Sequence, residues 1–295
     1  MEFNNFKAVL FVVAAMTMIT TNDAIVKHLT QVFNVGQIMF LRGALICVIF
    51  ALVMRLRRQP ILGPQSFHRW NLARGLFELG ATLSFLTGLS LLPIAVASTL
   101  GFASPLFLAL LAALLLKENV GALRWAIIVA GFGGVLLITN PFADSASWAV
   151  IFPLVCAFFV ALRDLAIRYV PASIPSSQVA FTNAWIVTLG GGLLSVFQGW
   201  GTADWHWYLW FFALAGALYC GYLLLIVGSR IGELSFIGPF KYVSILIAIG
   251  YGYWLWGDRP TANMLAGALV IVVSGIILVS SEKRKARLAG LASRV

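Results

Sequence analysis

A chain of 295 residues that is 61% hydrophobic and only 10% charged is not an ordinary soluble fold, in which about a quarter of the residues carry charge. Mean hydropathy is +0.96. The net charge of +10 raises nucleic acid as a partner, but the basic residues gather at the ends of apolar runs, where they mark membrane topology instead.

Ten apolar runs follow one another, each about 20 residues long, the length that crosses a hydrocarbon core of about 30 Å. They span residues 7–28, 36–55, 70–90, 94–116, 121–139, 147–169, 176–197, 206–228, 233–256 and 261–280. The first begins near Lys7, has no small-residue cleavage site and contains Asp23, so it reads as a retained span and not a signal peptide. The longest connection, from Arg55 to Arg69, is rich in Arg and Pro. With a cytoplasmic N-terminus one face collects Lys7, Arg55, Arg57, Arg58, Arg69, Lys117, Arg124, Arg168, Arg230 and the basic tail from Lys283 onward. The other face keeps Lys27 and Arg259 beside Asp144, Asp204 and Asp258. This asymmetry predicts that both termini are cytoplasmic, with anionic lipid as a contact for the basic face. Tryptophans at span ends (Trp70, Trp125, Trp148, Trp200, Trp205, Trp207, Trp210, Trp254 and Trp256) fit an interfacial belt.

The second half of the chain repeats the first. Asn22-Asp23-x-x-x-Lys27 with Gln37-x-x-Phe40 returns as Arg163-Asp164-x-x-x-Arg168 with Gln178-x-x-Phe181, and Gly88, Ser104 and Glu118 return as Gly228, Ser244 and Asp258. The period is far longer than the 20–50 residues of a solenoid unit. Five spans per copy, an odd number, force the second copy to enter the membrane from the opposite side. The expectation is an all-α polytopic membrane protein of ten transmembrane helices in two inverted five-helix repeats. The modules are 1–141 and 142–282, followed by a basic cytoplasmic tail at 283–295.

Ionisable groups inside spans cost about 2.5–3.5 kcal/mol on insertion scales, so each needs a reason. Asp23 with Lys27, and Asp164 with Arg168, occur in both copies at i,i+4 spacing and read as structural or gating pairs. Arg42, Arg74, Glu78 and Lys241 have no charged counterpart in the other copy: Arg42 aligns with Asn183, Glu78 with Tyr219 and Lys241 with Gly101. Two readings fit these four. Either they contact substrate or a coupling ion, since a site for an asymmetric solute must break the repeat symmetry, or Arg42 or Lys241 simply neutralises Glu78 in a dry bundle. Tyr219, Tyr222 and Tyr242 carry hydroxyls that need partners when buried and join the binding candidates. Pro105, Pro153 and Pro239 each remove a backbone hydrogen bond and are candidate helix breaks. The glycine runs at 131–134 and 190–192 read as close helix packing.

Cys47, Cys156 and Cys220 form no disulfide or metal pattern, and no phosphate loop, HExxH or GxSxG occurs. No cofactor, no metal and no enzymatic activity are expected.

The stretch from Arg74-Gly75-Leu76 through Leu89-Ser90-Leu91-Leu92-Pro93-Ile94-Ala95-Val96-Ala97-Ser98, then Ser104-Pro105-Leu106-Phe107, Leu116-Lys117-Glu118 and Gly131-Phe132-Gly133-Gly134-Val135-Leu136-Leu137-Ile138, resembles the EamA-type module of the drug/metabolite transporter superfamily. The second copy departs from it, with Asp258 for the usual Glu and Ile245 aligned with Pro105. The resemblance implies two tandem modules, ten helices, alternating access, a central cavity and small organic solutes. Asp23, Lys27, Gln37 and Arg42 resemble the branch that includes S-adenosylmethionine and riboflavin carriers. The expected function is a secondary carrier of a small metabolite in the bacterial inner membrane, as monomer or homodimer. The alternative from another class is a non-transporting polytopic membrane enzyme or assembly partner.

Overall fold

The computed structural model describes residues 5–61, 63–115, 122–140, 147–171, 173–231 and 237–292. Among these there is helix and no strand. Eleven α-helices are named in chain order: α1 (Asn5–Leu29), α2 (Val35–Leu56), α3 (Arg69–Leu91), α4 (Ile94–Gly101), α5 (Ser104–Leu115), α6 (Ala122–Thr139), α7 (Ile151–Ala166), α8 (Ser176–Gln198), α9 (Trp205–Ile231), α10 (Val243–Trp256) and α11 (Ala262–Ala292). Six segments of the described residues are both long and apolar enough to cross a membrane: 6–29, 35–56, 94–115, 148–169, 176–198 and 205–228. Two shorter apolar helices lie at 125–139 and 262–277. α3 has the length, but Arg69, Arg74 and Glu78 dilute its hydropathy. The protein is a polytopic helical membrane protein.

Helix ends follow local chemistry. His68 accepts a hydrogen bond at Nδ1 from the Trp70 N–H and caps α3, and Pro93 follows immediately after its last residues. α10 ends at Gly257, whose left-handed φ of +70° favours glycine. There Asp258 N–H donates to the Gly252 carbonyl at 3.0 Å, closing the terminal turn.

The three prolines differ. The expected fourth span is broken between Gly101 and Ser104, one residue before Pro105, which has no N–H to offer the Gly101 carbonyl. Pro239 lies in a 3₁₀ turn, Gly238–Tyr242, that precedes α10, so the ninth span is not one α-helix. Pro153 does not break a helix. It is the third residue of α7, after a 3₁₀ turn at Trp148–Val150, where a missing N–H is tolerated because first-turn donors have no intrahelical partner. α11 runs on from the last apolar segment into the basic residues, ending at Ala292.

The chain forms two compact units that do not follow the sequence halves. One comprises Met1–Thr20, Pro93–Val150 and Cys220–Val295; the other comprises Thr21–Leu92 and Ile151–Tyr219. Each therefore draws helices from both copies of the repeat. In the second unit the core is α2 against α8, which a shift of 141 residues superposes in sequence. They run antiparallel: a Cβ at Gly36 would lie 2.6 Å from the Ser195 nitrogen, and one at Gly43 would collide with the Thr188 side chain. Both ends are pinned by matched glutamines. Gln37 Nε2 donates to the Gly201 carbonyl at 2.7 Å while its Oε1 accepts from the Gly201 N–H at 3.2 Å, and Gln178 Nε2 donates to the Pro60 carbonyl at 3.2 Å. In the first unit the repeat-related pair is α6 and α11, whose backbones meet at Gly134 and Gly267. A Cβ on Gly134 would lie 2.9 Å from the Gly267 carbonyl oxygen, and Gly267 also faces Ile138, again an antiparallel approach made possible by small residues.

Candidate functional site

The unit of Thr21–Leu92 and Ile151–Tyr219 contains an ionic cluster between α3 and α7. These two helices pack antiparallel, with Gly88 against Phe152 and Pro153 and Gly80 against the Phe159 ring. That approach brings the middle of α3 to the last turn of α7. Arg163 Nη1 donates to Glu78 Oε2 at 2.9 Å, and Arg163 Nε donates to Asp164 Oδ1 at 3.0 Å. The Arg163 and Glu78 side chains are each 24% exposed, Asp164 44%. Bonds between ionised partners are the shorter and stronger kind, and arginine holds carboxylates in a fixed plane.

Further charges surround this pair. The Cys156 thiol is buried on α7, and Asp23 of α1 belongs to the same compact unit. Arg42 of α2 lies in the same unit, and Asn22 Nδ2 donates to Asp23 Oδ1 at 3.0 Å. Asn22 itself is 2% exposed, and its Oδ1 accepts no hydrogen bond. Arg74 lies one turn before Glu78 on α3, with Nε and Nη1 buried.

The expected site residues fall in different places. Glu78 pairs with Arg163, a partner that its sequence position did not suggest. Lys241 lies in the other compact unit, in the 3₁₀ turn before α10. Lys27 anchors a helix end: its Nζ donates to the carbonyls of Leu89 at 3.1 Å and Leu92 at 2.6 Å, a cation at the negative terminus of α3. Asp164 and Arg168 do not share one α-helix, because α7 ends at Ala166 and Arg168 lies exposed in a 3₁₀ turn. Tyr242 packs against Phe102, with ring centroids 5.1 Å apart, and its hydroxyl abuts Gly275 inside the first unit. Tyr219 and Tyr222 are more open, 37% and 54% exposed. The residue that the sequence reading missed is Arg163. It aligns with Asn22 in the repeat, so the same rule that singled out Arg42 and Glu78 also selects it.

At one end of this unit the His28 ring packs tilted against Trp207 and edge-on to Trp210, with centroids 5.2 and 5.5 Å away. Beside them an open cleft of about 420 Å³ is lined by Val32, Thr202, Ala203, Asp204 and Trp207. Among the described residues no group of three or more His, Cys, Asp or Glu is placed to hold a metal ion.

Membrane-length helices drawn from a duplicated sequence, with ion pairs held among them, define a multi-pass protein of the transporter class. The chain belongs to the EamA-like transporter family, which matches it twice, over residues 6–140 and 147–281. It is 24% identical over 214 residues to an S-adenosylmethionine uptake transporter of Rickettsia bellii, covering 72% of this chain and 73% of that one. To a riboflavin transporter of Rhizobium johnstonii it is 25% identical over 235 residues, covering 79% and 77%. To the pseudopaline exporter CntI of Pseudomonas aeruginosa it is 27% identical over 297 residues, covering 93% and 96%. A protein of known crystal structure shares the fold with a TM-score of 0.58 at 16% identity, over 92% of this chain and 97% of its own. The family and these relatives are membrane transporters that act on small molecules, not enzymes.

Proposed function

We propose that the protein is a secondary carrier that moves a small organic metabolite across the bacterial inner membrane by alternating access. In this reading the chain forms ten transmembrane helices in two inverted modules, 1–141 and 142–282, with both termini cytoplasmic. The antiparallel packing of repeat-related helices, α2 on α8 and α6 on α11, supports the inversion, since copies inserted in the same sense would give parallel equivalents. The charge asymmetry of the loops supports the orientation.

The observation that carries the reading is the Glu78–Arg163–Asp164 cluster inside a helix unit. Charges at membrane depth are costly and mark solute or ion pathways. Riboflavin and S-adenosylmethionine are the first solutes to test, because relatives are named for them. Other relatives are named as an uptake transporter and as an exporter, so both directions belong in the test. Expression in hosts auxotrophic for each compound should restore growth on low external concentrations if the carrier imports, or raise the compound in the medium of an overproducing host if it exports. No movement of any solute in either direction, with protein present in the membrane, would overturn the proposal.

A further inference from the structure

The open cleft beside His28 lies where three membrane-length helices meet an end: α1 finishes at Leu29, α8 finishes at Gln198 and α9 begins at Trp205. Trp200, Trp205 and Trp210 are exposed in the same stretch, as indole rings are at the level of lipid headgroups. The loop between α8 and α9, which forms one wall, is held by the start of α2. Asn34 Nδ2 donates to the Gln198 carbonyl at 3.3 Å and to the Gly199 carbonyl at 3.0 Å. The Gly36 N–H donates to Gln198 Oε1 at 2.9 Å, and Gln37 both donates to and accepts from Gly201. Trp207 is fixed as well. Its N–H donates to the Asp204 carbonyl at 3.0 Å, and its ring packs tilted against His28 and against His206, the latter with centroids 5.7 Å apart. Thr202, Ala203, Asp204 and Trp207 therefore line the cleft from a backbone that is already set, which lowers the ordering cost of a ligand.

The lining combines one carboxylate, one indole ring and one hydroxyl with the apolar Val32 and Ala203, and it includes no lysine or arginine. Asp204 is exposed, and among the described residues no hydrogen bond or ion pair engages its carboxylate. An indole face attracts cations through its quadrupole. Asp204 precedes Trp207 by three residues, so a full negative charge and a negative ring face serve one cleft. We infer that this cleft binds an organic ammonium group, whose N–H donors go to Asp204 and whose methylenes lie against Trp207, Val32 and Ala203. The group has two sources, the headgroup of phosphatidylethanolamine in the surrounding bilayer and a free amine in the water. A phosphate meets no cation in the lining, so the lipid would enter by its ammonium and keep its phosphate towards water. Binding here does not require the protein to move any solute, and it uses none of the residues of the Glu78–Arg163 pair.

The test uses the full-length protein in two settings. From membranes of equal phosphatidylethanolamine and phosphatidylglycerol it is gently extracted, and native mass spectrometry counts the lipids that stay bound. In nanodiscs of phosphatidylglycerol alone, saturation-transfer NMR follows added ethanolamine, with ethylene glycol as the uncharged control. Asp204→Asn removes the charge and keeps the backbone carbonyl that receives the Trp207 N–H. Trp207→Leu removes the ring, and the fold of both variants is checked by size-exclusion profile. Each variant should weaken binding about fivefold, the scale of one exposed ion pair or cation–π contact. Phosphatidylethanolamine retained in preference to phosphatidylglycerol, and lost in Asp204→Asn, identifies the lipid as the source. Ethanolamine bound in preference to ethylene glycol, and again lost in Asp204→Asn, identifies the free amine. No preference in either setting overturns the site, and so does a preference that the folded Asp204→Asn and Trp207→Leu variants leave undiminished.

Discussion

The same helix seam is built twice, and equivalent positions in the two copies carry different side chains. α3 packs on α7 through Gly88, which faces Phe152 and Pro153; α9 packs on α1 through Gly228, which faces Phe11 and Val12. A shift of 141 residues carries Phe11 and Val12 to Phe152 and Pro153, and a shift of 140 carries Gly88 to Gly228, so the two contacts are equivalents. Around α1 and α9 the seam continues as an apolar core of Ala8, Val12, Ala15 and Met16. In the α3–α7 seam the ion pair of Glu78 and Arg163 occupies the positions that Tyr219 and Asn22 hold in the other copy. Duplication has kept the packing, and the chemistry was placed on one side of it.

The largest test truncates the equivalent position of each seam in turn. Glu78→Ala leaves Arg163 without the partner across the seam, a loss toward the lower end of roughly 3–5 kcal/mol because the pair is partly exposed. Tyr219→Ala, at the equivalent position on a more open face, should cost well under half as much. Thermal unfolding of both variants in the same detergent measures the difference. Equal losses would mean that the ion pair adds nothing to its seam.

A smaller effect separates the two glycines. A Cβ on Gly88 would lie 2.9 Å from Pro153 Cδ and 3.3 Å from both Pro153 N and Phe152 Cβ, and a proline ring in a helix cannot swing aside. On Gly228 the nearest atom is Val12 Cγ2 at 3.1 Å, a methyl that a small shift of α1 relieves. Gly88→Ala should therefore cost about 1–3 kcal/mol and Gly228→Ala clearly less, read from the same unfolding experiment. The reverse order would show that the seams are not equivalent in stiffness.

How much of this was legible depended on whether a feature is local. The edges of α2, expected at 36–55 and found at 35–56, follow from hydropathy bounded by Asn34 and Arg57. The break before Pro105 follows from one missing N–H. Pro153 carries the same chemistry but stands in a first turn, which hydropathy does not reveal because the apolar run continues across the 3₁₀ segment. The partner of Glu78 was hidden for a different reason. Arg163 is adjacent in sequence to Asp164 and reads as half of a repeated motif, whereas its contact with Glu78 is 85 residues away and depends on which helices pack together. Periodicity reports the face of a helix, not its neighbour. For the same reason the interleaving of the two copies into compact units could not be read from spans laid out in order.

The smallest effect lies in the matched glutamines, and there the two ends of the α2–α8 pair should answer differently. Gln37 both donates to and accepts from the backbone of Gly201, while Gln178 reaches only the carbonyl of Pro60, a residue that has no N–H. Each bond is worth about 1 kcal/mol, so Gln37→Leu should lower stability slightly more than Gln178→Leu. Hydrogen exchange read by mass spectrometry distinguishes the two more sharply than stability does. Losing Gln37 releases the Gly201 amide, and exchange in the segment after α8 should quicken. Losing Gln178 releases a carbonyl alone, so the segment after α2 has no amide to deprotect at that point and its exchange should stay near the unaltered level. If Gln178→Leu accelerates exchange around Pro60 as much as Gln37→Leu does around Gly201, the glutamines hold whole loops in place and not single groups, and the two ends are pinned alike.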